Sequence, residues 1–460
     1  MDYYKLAQNY RQNIIDETCD LMRIPSVKGA AVDDAPYGIP LKTALEHMLA
    51  LGRKHGFRVA NYDNYAGEII YGTGEETVGV LCHLDVVPPQ AEGWSHPPFE
   101  PWINDGIIFG RGSNDNKGPT MAAFFALVAL KEIGFQPKRQ IKLILGCDEE
   151  GNMTCMDHYK KQASRIPNFG FVPDATFPVN YGEHGLYSIL ASSDLPDYIV
   201  SLEAGEHNHI LAERCTAVIK ETPKDIERLF QEFLKDNNYQ GDITFQIDSV
   251  KLELIGKAAH GSRPYQGLGA GSGMLRFLGE IYQDDKLSTL GRYFDDWKGK
   301  ELAIDYSSEK NGELSCCLAR ITSRERVFEC YMDIRYPFDH DKITIFKQFE
   351  QILVENSLAN KIKILEDREG CYNDPNGWLV KTLETIYRNQ TKDNISKIKI
   401  SAGDTYARKF KDFVAFGPTT KEHLVDKRIG QAHQVGEGMD IETLIRGCAI
   451  YIETIRQLSE

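Results

Sequence analysis

Apolar residues recur three and four apart over residues 3–22, with Leu6, Tyr10, Ile14 and Leu21 on one face and Met22 at its flank; the spacing predicts a helix. Arg23-Ile24-Pro25 ends it, because the residue before a proline resists the α conformation. A second helix is expected over residues 40–55. The pattern then shortens into strands over 58–62, 68–71 and 77–83. Beyond a stretch rich in proline and aromatics (88–101), an apolar helix is expected over 120–133, followed by a buried strand over 140–147 and a short one over 169–173. Residues 189–365 carry strands and helices of their own, among them a strand over 327–337. From about residue 375 the first pattern resumes, with a helix over 378–388, strands over 397–401 and 413–416, and a terminal helix over 441–458. The expected organisation is therefore a discontinuous domain of residues 1–188 and 366–460, interrupted by an inserted domain of residues 189–365.

Chemistry-bearing residues gather where the strands of the discontinuous domain end. Strand 77–83 delivers His83, with Asp85 two positions on and on the same face. Such a pair is either a local hydrogen bond or a metal-binding imidazole whose far ring N–H is held by a carboxylate. Asp115 lies in Arg111-Gly112-Ser113-Asn114-Asp115-Asn116-Lys117-Gly118-Pro119, just before a helix, where it is either a cap or an anionic ligand. Strand 140–147 runs into Asp148-Glu149-Glu150, either a solvated loop or part of a site at the carboxyl end of a sheet. Strand 169–173 ends at Asp174, and His433 lies in a glycine-containing loop before the terminal helix. Two histidines and three acids from separated segments suit a site for two divalent ions roughly 3.5–4 Å apart, one carboxylate bridging them. With no cysteine in the set, zinc, manganese or cobalt in an open, water-bearing site is the expectation. One glutamate is left over to take a proton from the water.

Composition narrows the partners. The 460 residues, 42% hydrophobic and 26% charged, have an ordinary globular balance. A formal net charge of −14 argues against a nucleic-acid-binding face. No apolar run is long enough for a membrane span, and Met1-Asp2-Tyr3-Tyr4-Lys5 does not open a signal peptide. The ten cysteines lack C-x-x-C spacing and suit small buried hydrophobes in the reduced cytoplasm.

Taken in order, His83-x-Asp85, Gly110-Arg111-Gly112 with Asp115-x-Lys117-Gly118-Pro119, Asp148-Glu149-Glu150, Asp174, His260-Gly261-Ser262-x-Pro264 and His433 resemble the dinuclear zinc exopeptidases. That family includes carnosinases, aminoacylases, succinyl-diaminopimelate desuccinylases and PepV-type dipeptidases. The resemblance covers nearly the whole chain. Phe171-Val172-Pro173-Asp174 and residues 403–408 look most like the PepV-type, Xaa-His-like branch. It implies an α/β metallopeptidase catalytic domain with a mixed sheet, helices on both faces and an inserted α+β lid. It also implies that Asp115 bridges two ions and precedes a cis peptide, that His83 and Asp174 complete one site, and that Glu150 and His433 complete the other. Glu149 would be the general base acting on a metal-bridging water, and Asp85 would orient His83. From the lid, His260 would meet the developing oxyanion, Arg335 would hold the substrate carboxylate through its guanidinium fork, and Asn208 would contact substrate, as would Gly403 from the catalytic domain.

The implied reaction is hydrolysis of dipeptides with a free C-terminal carboxylate. An N-acyl-amino-acid deacylase of the desuccinylase or aminoacylase type uses the same machinery and is the alternative; a non-catalytic ligand-binding protein on the same fold is a remote one. The insert is long enough for two lid units, so a monomer with His260 acting within its own chain is expected. Three positions depart from the family pattern. Ser95-His96-Pro97-Pro98-Phe99 replaces an Asp-Pro-Phe run, Gly269 stands where an asparagine is expected, and Asp404 stands where glycine is usual. A carboxylate at Asp404 either favours a substrate amine over an acidic group or caps its loop in solvent.

Overall fold

The strand Thr77–His83 is buried along its whole length, as a strand covered on both faces must be. In the computed structural model, which describes residues 1–220 and 222–460, the chain divides into two units: residues 1–182 with 372–460, and residues 183–371. In the first unit Thr77–His83 runs parallel to Gln140–Gly146 on one side and to Phe169–Val172 on the other. Phe413–Ala415 adds another parallel strand beside Phe169–Val172. On the opposite flank Ala66–Tyr71 and Arg58–Tyr62 are antiparallel, so the sheet is mixed.

Helices cover both faces of this sheet. A side chain at Gly67 would run into Leu45 and Leu49 of the helix Ile39–Lys54. The next residue, Glu68, accepts a hydrogen bond from Tyr159 of the helix Thr154–Gln162. Successive side chains of a strand leave opposite faces, so the two helices lie on opposite sides. The helix Lys117–Glu132 is buried from Lys117 to Leu130 and packs against Arg11–Met22 and Ile441–Ser459. One apolar cluster joins these elements. The helix expected over residues 3–22 is instead two, Tyr3–Gln8 and Arg11–Met22. The Asn9 and Tyr10 N–H groups bond back three residues, to Leu6 and Ala7, and close the first helix early. Asparagine favours such turns over a helix interior.

The second unit holds an eight-stranded sheet in the order Gln240–Phe245, Val250–Ile255, Arg214–Ile219, Ile199–Ala204, Ser315–Arg324, Val327–Tyr336, Gly185–Asp194, Lys361–Arg368. Its pairings are antiparallel. Helices Ile226–Asp236, Ala270–Tyr282, Asp285–Asp295 and Lys342–Glu355 join it in a separate apolar cluster. The insert starts and stops a few residues outside the limits read from sequence. Gly185–Asp194 pairs with both Val327–Tyr336 and Lys361–Arg368, which carries residues 185–188 and 366–368 into the second unit. No helix among the described residues is long and apolar enough to cross a membrane.

Candidate metal centre

Three neighbouring parallel strands point their carboxyl ends the same way, and each end carries candidate ligands. Thr77–His83 ends at His83, Gln140–Gly146 leads to Glu149 and Glu150, and Phe169–Val172 leads to Asp174. A sheet of this kind opens its binding crevice at that edge. Asp115 arrives from the loop before Lys117–Glu132, and His433 from the loop before Gly438–Asp440. The Asp115–Asn116 peptide is cis.

Asp115 stands between the two histidines. Its Oδ1 lies 2.8 Å from His83 Nε2 and its Oδ2 3.1 Å from His433 Nε2. Each imidazole nitrogen has a second carboxylate: Asp174 Oδ2 at 3.5 Å from His83 Nε2, and Glu150 Oε1 at 2.9 Å from His433 Nε2. Ligand atoms about 2.0–2.2 Å from a tetrahedral ion are separated by about 3.3 Å, so these four imidazole–carboxylate distances have the spacing of ligand edges. Potential ligand atoms of His83, Asp115 and Glu150, and of His83, Glu149 and Asp174, lie within 4.8 Å of one another. Glu149 is thus within ligand reach as well as being the residue read as the base. Its Oε1 is buried with no hydrogen-bond partner, as a carboxylate awaiting a cation or a proton would be. These residues fit divalent cations.

The electrostatics point the same way. Burial pushes the Glu149 carboxyl well above its ordinary range, and takes Glu150 up to about 7. Burial, reinforced by the neighbouring Asp115, also raises Asp174. For His83, burial pulls the imidazole down, but hydrogen bonds to Asp115, Asp174 and Asp85 outweigh it and hold the pKa well above normal. His433 is raised against burial by Glu150 and Asp115. Asp115 is held low, because its two histidine partners overcome its burial.

Asp85 meets His83 through its main chain as well as its side chain. His83 Nδ1 lies 2.9 Å from the Asp85 backbone carbonyl, while the carboxylate is 3.5 Å away. The carboxylate also accepts the backbone N–H groups of Glu149 and Glu150, at 3.0 and 2.9 Å. Asp85 fixes the ring through its main chain and the two glutamates through its side chain. Asn116, unmarked in the sequence reading, ties three ligand segments together. Its Oδ1 accepts from the His83 N–H at 3.3 Å, and its Nδ2 donates to the Pro173 carbonyl at 2.7 Å. Gly403 lies just after the strand Lys399–Ser401, its N–H on Ser401 Oγ at 3.0 Å. The charge of the adjacent Asp404 is among those that raise Glu149.

The second unit gathers Asn208, His260 and Arg335 around two residues the sequence reading passed over. Ile210–Leu211 pairs with Ala259–His260, and the Gly261 N–H donates to the His209 carbonyl at 2.8 Å. His260 is exposed, with Nδ1 2.7 Å from Ser262 Oγ. Arg335 is buried and donates from Nε and Nη2 to the two oxygens of Asp333, both at 3.0 Å. His209 bridges Asp333 at 2.9 Å and Glu366 at 3.2 Å, and Arg368 pairs with Glu366 at 2.6 Å. Five charged side chains thus alternate in sign: Arg335, Asp333, His209, Glu366, Arg368.

The sequence profile of "Peptidase family M20/M25/M40" matches residues 79–457, a span that takes in all the ligand segments. The chain belongs to this family. It is a metallopeptidase, a hydrolase whose family membership implies divalent metal ions. It is 33% identical over 471 residues, covering 98% of each chain, to the Bacillus subtilis (strain 168) protein named "Putative dipeptidase YtjP". Among solved structures it resembles human carnosine dipeptidase 1, with TM-score 0.62, 14% identity and coverage of 100% of this chain and 99% of the other. It also resembles the di-peptidase Dug1p from Saccharomyces cerevisiae, with TM-score 0.63, 14% identity and the same coverage. At that identity the structural likeness establishes the shared fold.

In this M20-family chain the residues that sequence reasoning missed bond to the candidate ligand segments or to Arg335: Asn116, His209 and Asp333 as above, and Glu437, whose Oε1 accepts the Asp115 N–H and whose Oε2 accepts from Arg111. This last pair carried a legible signal. Arg111 and Glu437 are charged residues set between glycines, in Gly110-Arg111-Gly112 and Gly436-Glu437-Gly438, each beside a ligand loop. Asn116 and His209 carried none, since their partners are distant in sequence; Asp333 stands two positions before Arg335 on one strand, a spacing that puts both on the same face.

Proposed function

We propose that this M20-family metallopeptidase is a dipeptidase that binds two divalent ions and cleaves dipeptides bearing a free C-terminal carboxylate. The observation that carries the reading is the placement of the two Asp115 oxygens on two different histidines, each backed by its own second carboxylate. Asp115 would be shared between the ions, His83 and Asp174 would hold one, and Glu150 and His433 would hold the other. A nitrogen and oxygen donor set without thiolate suits Zn2+, with Mn2+ or Co2+ as alternatives. When bound, the ions polarise the scissile carbonyl and lower the pKa of the attacking water.

The chain's own groups do the rest. Glu149, kept buried and proton-avid, takes a proton from the water and passes it to the leaving amine as the C–N bond breaks. Asp85 sets the Glu149 backbone by accepting its N–H. Arg335 takes the substrate carboxylate, His260 the oxyanion, and Asn208 and Gly403 further substrate atoms. The negative charge of Asp404, close enough to Glu149 to raise it, favours a substrate with a free amine over an N-acylated one. The "dipeptidase" in the names of the relatives supports the same choice. The protein is read as a cytoplasmic monomer with His260 acting within its own chain. A reducing compartment suits its ten cysteines.

The test is hydrolysis by metal-stripped protein reloaded with Zn2+ or Mn2+, on a panel of dipeptides beside N-acetyl and N-succinyl amino acids. Metal-dependent cleavage of free dipeptides, lost in Glu149→Ala, is expected. Cleavage of the acylated set alone would replace the dipeptidase reading with a deacylase. Sedimentation showing an obligate dimer would overturn the monomer.

A further inference from the structure

Glu437 is fully buried and is not a candidate ligand, yet its carboxylate is bonded to the loop that carries Asp115. Its Oε1 accepts three backbone N–H groups from the loop that ends in Asp115: Gly112 at 3.0 Å, Asn114 at 3.0 Å and Asp115 itself at 3.1 Å. Three main-chain donors converging on one oxygen form an anion nest, here filled from within the chain. Its Oε2 accepts from Arg111 Nη1 at 2.5 Å, and its own carbonyl accepts the Gly110 N–H at 2.9 Å. Arg111 is equally buried, and its other terminal nitrogen reaches Gln90 Oε1 at 3.3 Å and the His433 carbonyl at 3.4 Å. Gln90 Nε2 donates to that same carbonyl at 2.9 Å. His433 needs this hold: its backbone is left-handed, with φ +68°, a conformation disfavoured for a residue with a side chain.

We infer that Glu437 and Arg111, with Gln90, are positioning residues that clamp the Asp115 loop to the His433 loop and so set the distance between the two ligands. The inference rests on the two-ion reading above and adds what fixes its spacing. A merely structural buried ion pair would serve the fold without touching both ligand loops. The first unit contains such a pair: Glu68 and Lys142, at 2.6 Å, buried within the sheet and joined to Tyr159. It provides an internal control.

The experiment is titration of the metal-free full chain with Co2+, read by visible absorption and by calorimetry, for wild type, Glu437→Asp, Glu437→Gln, Gln90→Ala and Glu68→Gln. Glu437→Asp keeps the charge but is one methylene short of the nest. Removing a group that orients a metal ligand lowers affinity by about 10–100-fold, so both Glu437 variants should lose that much and show an altered Co2+ band. Gln90→Ala, which removes one donor to the His433 carbonyl, should lose less and mainly in the second equivalent. Glu68→Gln should melt at lower temperature with cobalt affinity unchanged. Affinity and spectrum within threefold of wild type in the Glu437 variants would overturn the clamp, as would an equal loss in Glu68→Gln. If the Glu437 variants do not fold, an unaltered Gln90→Ala overturns it. A wild type that takes up no Co2+ would overturn the two-ion reading and the clamp together.

Discussion

Two polar clusters, one in each unit, follow opposite rules. In the second unit the signs alternate along Arg335, Asp333, His209, Glu366 and Arg368, and each charge has neighbours of the other sign. Burial would raise the Asp333 carboxyl, but Arg335 and His209 hold it well below its ordinary range. His209 is raised to about 9 against its burial by Asp333 and Glu366. In the first unit Asp115, Glu149, Glu150 and Asp174 share only two imidazoles, and burial pushes three of the four carboxyls up. A cluster in which each charge lies against one of opposite sign holds together without an added ion. A buried cluster short of positive charge is complete only with cations added. The difference separates a site built to bind metal from one built to hold an arginine in place.

The largest effect should follow from removing the shared carboxylate. Asp115→Ala should lose uptake of both ions and all measurable turnover, read by metal analysis after dialysis beside the dipeptide assay; retention of both ions would break the comparison. Glu149→Ala should leave metal uptake in place and lower kcat by about 10²–10⁴-fold, the usual contribution of a general base. If metal is lost along with activity, Glu149 is a ligand and the base lies elsewhere.

A pH series sharpens the contrast. The Glu150 carboxyl titrates near 7 in the folded chain, against an ordinary value of 4.5. The folded state therefore binds more protons between these values, and this contribution to stability is present below about 4.5 and lost as the pH rises through about 7. Metal binding requires the unprotonated ligands and releases those protons. Calorimetric melting should show metal-free protein less stable at pH 8 than at pH 6, with saturating Zn2+ raising the melting temperature more at pH 8. Equal metal-induced shifts at the two pH values would remove the charge deficit from the argument. The smallest effect belongs to the internally paired cluster. His209→Gln breaks two charged hydrogen bonds and should cost about 1–3 kcal/mol in urea unfolding, with metal uptake unchanged. A loss of metal affinity there would count against treating the two clusters as independent.

The elements around the site were legible because each rests on local pattern. A run such as residues 77–83, apolar from Val78 to Cys82, reads as a covered strand, and the acids at its neighbours' ends stand out against apolar sequence. The family motif set then favoured a ligand over a cap at Asp115 and over a solvated loop at Glu150. What escaped depends on contacts between distant segments. The Asp85 carboxylate turns to Glu149 and Glu150, some sixty residues away, while its own carbonyl takes His83; a strand face cannot reveal that exchange. The Asn116 amide is indistinguishable from any loop asparagine until Pro173 lies beside it. The edges of the insert moved because residues 185–188 look alike in either domain, and only their pairing with residues 333–336 assigns them.

The order of the ligand segments along the chain has a consequence for biosynthesis. His83, Asp115, Glu149, Glu150 and Asp174 leave the ribosome early, and the whole of the second unit is made before His433 and Glu437 appear. Until then the Asp115 loop lacks the carboxylate that gathers its N–H groups, and the second triad lacks its imidazole. A nascent chain therefore cannot assemble both metal triads. A chain that has not yet supplied His433 and Glu437 is a peptidase without its cutting edge.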